Sequence, residues 1–247
     1  MRRKVRLDQL VVERGLAESR ARAQALVLAG RVLVDGARVD KAGTLVADVV
    51  EIAIQGDALP FVSRGGVKLA GAIDALGVPV AGLRCLDVGA STGGFTDCLL
   101  QRGAQSVAAV DVGYGQLAQK LRTDTRVLVR ERTNARTLDP KDIGGEVDLT
   151  VVDASFIGLG KLLPAIARCT KVGGQLLALV KPQFEVGREE ASKTKGVVRD
   201  REVRANAIAR VADEVRAAGF RVLGECDSTL AGPRGNLEAF VWGKRER

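Results

Sequence analysis

Histidine does not occur in the 247 residues, so Ser-His-Asp and Cys-His triads, histidine metal sites and imidazole proton transfer are excluded. Acid–base chemistry falls to Asp, Glu, Lys, Tyr or Cys. Aromatic residues make up 3% of the chain, too few for a stacking platform of the kind that reads single-stranded RNA. The four cysteines, Cys85, Cys98, Cys169 and Cys226, form no CxxC motif, which argues against a zinc cluster or redox dithiol. They read as small core residues kept reduced in a cytoplasm. No apolar run approaches the roughly 20 residues that span a bilayer. The basic start MRRKVRLDQL passes directly into an amphipathic pattern without a signal-peptide core, so neither membrane insertion nor export by that route is expected.

What remains is a globular chain, 46% hydrophobic and 28% charged, long enough for one large domain or one medium and one small. Lys and Arg number 38 against 30 Asp and Glu, a net charge of +8 that favours a polyanionic partner. The excess is uneven. Residues 1–41 hold ten Lys or Arg against five Asp or Glu, and residues 42–57 hold none against three.

The pattern from Val5 to Gln55 predicts helix, helix, hairpin. Leu7, Leu10, Val11 and Leu16 mark a short first helix, and Ser19 caps a second with Ala23, Leu26 and Val27 on its apolar stripe, stopped by Gly30. Asp35-Gly36 supplies a two-residue turn, and a strand is expected over Val46 to Ile54. Pro60 breaks the periodicity, so residues 58–62 read as a linker between a small α+β module at 1–57 and a second domain at 63–247. There, a helix carrying Leu69, Ala72, Ile73 and Leu76 precedes apolar runs at Arg84–Val88, Ser106–Val110, Arg126–Val129, Val147–Val152, Gln175–Val180 and Phe220–Gly224. That alternation predicts a doubly wound, Rossmann-like α/β sheet. A last strand, Leu237–Trp242, follows its predecessor through a loop alone and should enter antiparallel. A helix over Arg201 to Ala218 is preceded by Glu185–Asp200, a charged, Gly- and Ser-containing stretch that reads as a mobile loop.

The run Asp87-Val88-Gly89-Ala90-Ser91-Thr92-Gly93-Gly94-Phe95-Thr96 ends the first of these strands and opens a helix. It is no P-loop, because Phe95 stands where GxxxxGK(S/T) needs lysine, and it is no GxGxxG. Twenty-two residues beyond Gly89, Asp111 ends the next strand, where a carboxylate can accept both ribose hydroxyls. Asn134, past the third strand, can pair with an adenine edge. A glycine loop without phosphate-binding features plus a ribose carboxylate suits S-adenosylmethionine (SAM), with Asp87, Gly89, Ala90, Ser91, Gly93, Gly94, Phe95, Asp111, Asn134 and Asp153 as candidate cofactor-binding residues. A second constellation gathers at the carboxyl edge of the sheet: Asp153 and Lys181 at strand ends, Glu238 at the start of the antiparallel strand, and Lys68 on the preceding helix. Methylating a ribose hydroxyl needs in-line placement and a base. A lysine base is favoured by burial or a neighbouring cation and opposed by carboxylates beside it; Lys68 is the candidate cation, Asp153 and Glu238 the candidate carboxylates, and the sequence leaves that balance open.

Seven ordered runs, S-R-G-G-V-K-L at Ser63, D-V-G-A-S-T-G-G-F-T at Asp87, A-V-D-V-G-Y-G-Q-L at Ala109, E-R-T-N-A-R at Glu131, D-A-S-F at Asp153, K-P-Q-F-E-V-G at Lys181 and G-N-L-E at Gly235, together resemble the TlyA family. Its members are rRNA cytidine 2′-O-methyltransferases, often labelled hemolysin A, with an FtsJ-like catalytic domain. The amino-terminal module, with G-L-A-E-S-R at Gly15 and V-D-G at Val34, resembles the S4 RNA-binding domain those proteins carry. The resemblance implies that Lys68, Asp153, Lys181 and Glu238 match the K-D-K-E tetrad of FtsJ-like enzymes, and that the partner is ribosomal RNA or a ribosomal subunit. The sequence stops five residues after Trp242, like a shorter subgroup associated with large-subunit (23S) RNA; 16S RNA is the second candidate. The linker lacks the Arg-Ala-Trp of some members, so no switching role carries over.

RNA contact is expected from charge, at Arg3, Lys4, Arg6, Arg20 and Arg22 in the small module and Lys193, Lys195 and Arg199 in the loop. The nucleotide is expected to turn out of the RNA toward Lys181. The competing readings are a non-catalytic RNA-binding or assembly factor, which loss of a tetrad or glycine residue would favour, and a pore-forming hemolysin, which lacks a spanning segment here. Base methylation would want an Asn-Pro-Pro-like loop or a nucleophilic Cys near the fourth strand, where Asp153-Ala154-Ser155-Phe156 stands. No metal is expected.

Overall fold

The computed structural model describes residues 3–17, 19–28, 30–55, 60–155, 157–186, 196–232 and 234–247. It divides into two compact units, Met1–Ala58 and Leu59–Arg247.

In the first unit, strand β1 (Lys4–Arg6) leads into helices α1 (Leu7–Glu13) and α2 (Arg20–Leu28). Strands β2 (Val32–Val34), β3 (Ala37–Arg38), β4 (Leu45–Ala47) and β5 (Ile52–Ile54) follow. Ser19 Oγ accepts from Arg22 N at 3.2 Å, as an N-cap should. Asp35 and Gly36 both take positive φ, the geometry of a tight hairpin turn. Leu7, Leu10, Val11, Ala23, Val27 and Val32 form the buried centre.

The single strand expected over Val46 to Ile54 is two strands in two sheets: β4 pairs with β1, and β5 with β2. The break is at Asp48–Val50. There the Arg14 guanidinium donates to the carbonyls of Asp48 and Val50 at 2.6 and 2.5 Å, turning a β-prone stretch that has no local turn signal. β1 was not expected, because three residues with one buried Val5 carry too little alternation to register.

In the second unit, helix α3 (Arg64–Leu76) ends at Gly77 in the left-handed conformation. A seven-stranded sheet follows, made of β6 (Arg84–Val88), β7 (Ser106–Val110), β8 (Val127–Arg130), β9 (Val147–Val152), β10 (Thr170–Val180), β11 (Phe220–Asp227) and β12 (Ala239–Arg245). Between them lie α4 (Gly94–Gln101), α5 (Gln119–Arg122), α6 (Leu163–Cys169), α7 (Pro182–Glu185) and α8 (Arg201–Ala217). The strand order is β11-β12-β10-β9-β6-β7-β8. β6 to β10 run parallel, and β12 lies antiparallel between β10 and β11, so the hairpin expectation holds and the last strand fills an interior slot. β10 is longer than its apolar run because a register shift between Thr170 and Gln175 admits extra residues. Buried side chains form one cluster on each face of the sheet, one centred on Leu163, Ile166 and Val211, the other on Leu69, Leu99 and Phe240.

Candidate functional site

Parallel strands align their carboxyl ends, and this edge carries the chemistry. Asp153 N donates to Val88 O at 2.9 Å and Gly89 N to Val110 O at 2.9 Å, so the ends of β6, β7 and β9 are tied side by side. Val180 pairs with Ala239 in the β10–β12 register, which sets Lys181, just past one strand, beside Glu238, just before the other.

A cavity of about 350 Å³ opens beyond β6 and β7, within the range of small-molecule sites. Gly89, Ser91, Asp111, Asn134 and Asp153 line it. Asp111 is held in place: Oδ2 accepts from Ser91 N at 2.8 Å and Oδ1 from Gly113 N at 2.6 Å. Each oxygen keeps a lone pair beyond those bonds. Asn134 Oδ1 caps the following turn through Arg136 N at 3.1 Å, and its amide nitrogen has no hydrogen bond among the described residues. A carboxylate with spare lone pairs and an amide nitrogen without a hydrogen bond among the described residues, on one cavity wall, are groups that could receive a nucleoside.

The other candidate cofactor residues lie outside that lining. Ala90 borders a smaller neighbouring pocket, and Gly93 caps α4 in the left-handed conformation. At Gly94 a Cβ would meet Ser63 Oγ at 2.2 Å. Phe95 packs on Phe240 in the core. Asp87 is fully buried; its Oδ2 accepts from Thr96 Oγ1 at 2.7 Å, and its Oδ1 has no hydrogen-bond partner. Burial pushes its carboxyl up to about 7, against the Thr96 hydrogen bond and with help from Asp153.

A second cavity, of about 380 Å³, is lined by all four tetrad residues together with Ser155 and Gln183. Lys68 Nζ donates to Glu238 Oε2 at 2.5 Å, with both side chains buried. Lys181 Nζ lies 2.5 Å from Asp153 Oδ1 and donates to Ser155 Oγ at 2.8 Å. The two lysines therefore sit in separate ion pairs, each with its own carboxylate. α3 places Lys68 on its inward face beside Leu69 and Ala72, and Pro182 starts α7 immediately after Lys181.

Three supporting residues are not singled out as site residues by the sequence, although Asn236 and Glu185 lie within the G-N-L-E and K-P-Q-F-E-V-G runs. Arg204 on α8 donates to Leu237 O at 3.0 Å and Glu238 O at 3.3 Å, fixing the backbone ahead of β12. Asn236 accepts from Val198 N at 2.8 Å and donates to Gly196 O at 2.9 Å. Glu185 accepts from Leu159 N at 2.9 Å, joining α7 to the segment after Asp153. The lysine-rich part of the expected loop, with Lys193 and Lys195, lies outside the described residues, and Arg199 is exposed. In the first unit Arg3, Lys4, Arg6 and Arg20 are exposed and Arg22 is half-buried. Arg6 and Arg20 both bond to the buried carboxylate of Asp8 at 3.0 and 3.1 Å.

Comparison with known proteins matches the FtsJ-like methyltransferase family over residues 61–245 and an S4 domain over residues 5–48. Over 98% of this chain and 90% of the relative, it is 49% identical to the 16S/23S rRNA (cytidine-2′-O)-methyltransferase TlyA of Mycobacterium tuberculosis. The chain belongs to the TlyA family of FtsJ-like methyltransferases. Hemolysin A of Brachyspira hyodysenteriae is 38% identical over 95% of this chain and 97% of its own length. A solved structure from Streptococcus thermophilus, described as a hemolysin, superposes with a TM-score of 0.77 at 41% identity, covering 100% of this chain and 90% of that one. The Rossmann-like methyltransferase sheet with antiparallel last strand and the S4 module are thus those of TlyA proteins. Despite the hemolysin name, no helix among the described residues is long and apolar enough to cross a membrane.

Proposed function

We propose that this TlyA-family enzyme transfers a methyl group from SAM to the 2′-hydroxyl of a cytidine in ribosomal RNA, acting in the cytoplasm on 23S RNA in the large subunit and, as second substrate, on 16S RNA. The observation that carries this reading is the meeting of Lys68, Asp153, Lys181 and Glu238 in one cavity that adjoins the nucleoside-sized one, with Asp153 lining both. The relatives' names supply the RNA and the cytidine.

Asp111 would hold the cofactor ribose, and Asn134 the adenine edge. When bound, SAM supplies a methyl already activated on sulfur and leaves as a neutral thioether, so the protein's task is placement and proton removal. Lys181 Nζ would take the proton of the 2′-hydroxyl as the methyl is transferred to that oxygen and would then release it to water. Asp153 orients Lys181, and the Lys68–Glu238 pair holds the far wall against the ribose. Exposed Arg3, Lys4, Arg6, Arg20 and Arg199, with half-buried Arg22, are assigned to phosphate contact, as are Lys193 and Lys195.

The test is transfer of labelled methyl from SAM to separated large and small subunits lacking the modification, with Lys181→Ala as control. Ribose methylation of the large subunit, read as resistance to alkaline cleavage and lost in the variant, is expected. Absence of transfer to either subunit and to free rRNA, with SAM still bound, would overturn the assignment.

A further inference from the structure

We propose that Ser155 is a positioning residue for the methyl transfer: its hydroxyl fixes the rotation of the Lys181 amine so that the remaining direction on Nζ faces the ribose cavity. The proposal rests on the reading of Lys181 as the base. Three observations carry it.

The first is alignment. Lys181 Nζ is 2.5 Å from Asp153 Oδ1, yet that oxygen has no aligned hydrogen bond; the aligned one goes to Ser155 Oγ at 2.8 Å. Charge attraction alone is nearly isotropic and sets how far the amine lies from Asp153. A hydrogen bond is directional and sets which way it is turned. The second is place. Among the described residues, Asp153 and Ser155 are the two that line both the nucleoside-sized cavity and the tetrad cavity, so the Ser155 hydroxyl stands at the seam that the methyl group must cross. The third is the commitment of the neighbours. Lys68 is bonded to Glu238, and both ends of the Asn236 amide are bonded to backbone; neither is left to orient Lys181.

The consequence is geometric. To act as a base Lys181 must first give up a proton; the amine then has two N–H directions and one lone pair at tetrahedral angles, at the end of a four-carbon stem. With one N–H held by Ser155 and the Asp153 side of the amine drawn in by charge without an aligned hydrogen bond, the lone pair is left toward the cavity that also holds Lys68 and Glu238. Without Ser155 the amine can turn about the Cε–Nζ bond; the nitrogen stays where it is, but its lone pair faces the 2′-hydroxyl only part of the time, and misdirecting the base in this way costs about 10- to 100-fold in rate.

The experiment compares Ser155→Ala and Ser155→Thr with wild type on the subunit that accepts the methyl, measuring kcat, KM for the subunit and SAM affinity, with Lys181→Ala and the Ser155→Ala/Lys181→Ala double variant in parallel. Ser155 is exposed, so the alanine variant is expected to keep its thermal midpoint. The expected result is a fall in kcat of about 10- to 100-fold for alanine, with KM and SAM affinity within about twofold, recovery of most of the rate in threonine, and no further loss when Ser155→Ala is added to Lys181→Ala. An alanine variant with wild-type kcat, a loss confined to KM or SAM affinity, or a threonine variant as slow as alanine would overturn the role of Ser155 while Lys181→Ala remained inactive. A Lys181→Ala variant as fast as wild type would instead remove the base, and this proposal with it.

Discussion

Asp87 and Asp8 are both fully buried carboxylates, and they behave oppositely because of what faces them. Asp8 meets Arg6, Gln24 and Arg20, and its carboxyl is held well below the ordinary carboxylate range, chiefly by the Arg6 hydrogen bond. Asp87 is pushed up to about 7 chiefly by burial, with the Thr96 hydrogen bond opposing and the charges of Asp153 and Asp111 adding to the rise. The folded protein therefore keeps the Asp87 proton up to about pH 7, whereas an unfolded chain releases it near pH 4. Between those values the folded state binds more protons, so stability is greatest below about pH 4 on this account and falls as pH rises toward 7. Denaturant melts from pH 5 to 8 should show this decline as a component that Asp87→Asn removes; an unchanged slope in the variant would place the titration elsewhere. Neither pattern was legible in the sequence. Asp87 reads as a cofactor-binding candidate near a strand end and Asp8 as one charge among many, because the hydroxyl and the guanidinium groups that decide their state reach them only through the fold.

At the scale of elements, the loop after β6 is held by contacts a sequence does not print. Gly89 has φ +86°, and a Cβ there would lie 2.7 Å from the Asp153 carbonyl oxygen, which is backbone and cannot swing aside. Gly77 shares the left-handed conformation, φ +68°, with open space around it. Gly77→Ala should cost about 1–2 kcal/mol of stability from backbone strain alone and leave SAM affinity as it was. Gly89→Ala should cost more and also weaken SAM binding at least about tenfold, since β6 and β9 must part at the cavity. Calorimetric titration and denaturant unfolding on the two variants separate the cases. The long apolar runs of β6, β7 and β9 declared themselves with their bounds, because buried parallel strands are nearly continuous in hydrophobic residues. The stretch from Val46 to Ile54 did not: its turn is made by Arg14, more than 30 residues away. Asp153, Lys181 and Glu238 were legible as a group because strand ends are, and Lys68 from the helix that precedes the first of those strands; Ser155, in the same D-A-S-F run, was passed over because a hydroxyl beside a stronger acid carries no signal until its distance to Lys181 is known.

At the scale of the molecule, a net charge of +8 makes association with RNA a salt-dependent quantity. KM for the ribosomal subunit should rise steeply with salt, and Lys4→Ala combined with Arg22→Ala should raise KM several-fold at low salt while flattening the log–log slope by about one to two. A slope identical to wild type would remove both side chains from the RNA surface.

Lys68 and Glu238 are separated by 170 positions along the chain yet share one hydrogen bond, and Glu238 immediately precedes the strand that slots between β10 and β11. Synthesis runs from the amino end, so the wall formed by this pair cannot exist while β12 is still unmade. A growing chain that already holds the nucleoside cavity and Lys181 has an open gap in its sheet and a buried lysine without its carboxylate. The pair that closes the tetrad cavity is thus completed last, and a chain cut between α8 and β12 is expected to keep the residues that line the nucleoside-sized cavity while losing methyl transfer with Glu238.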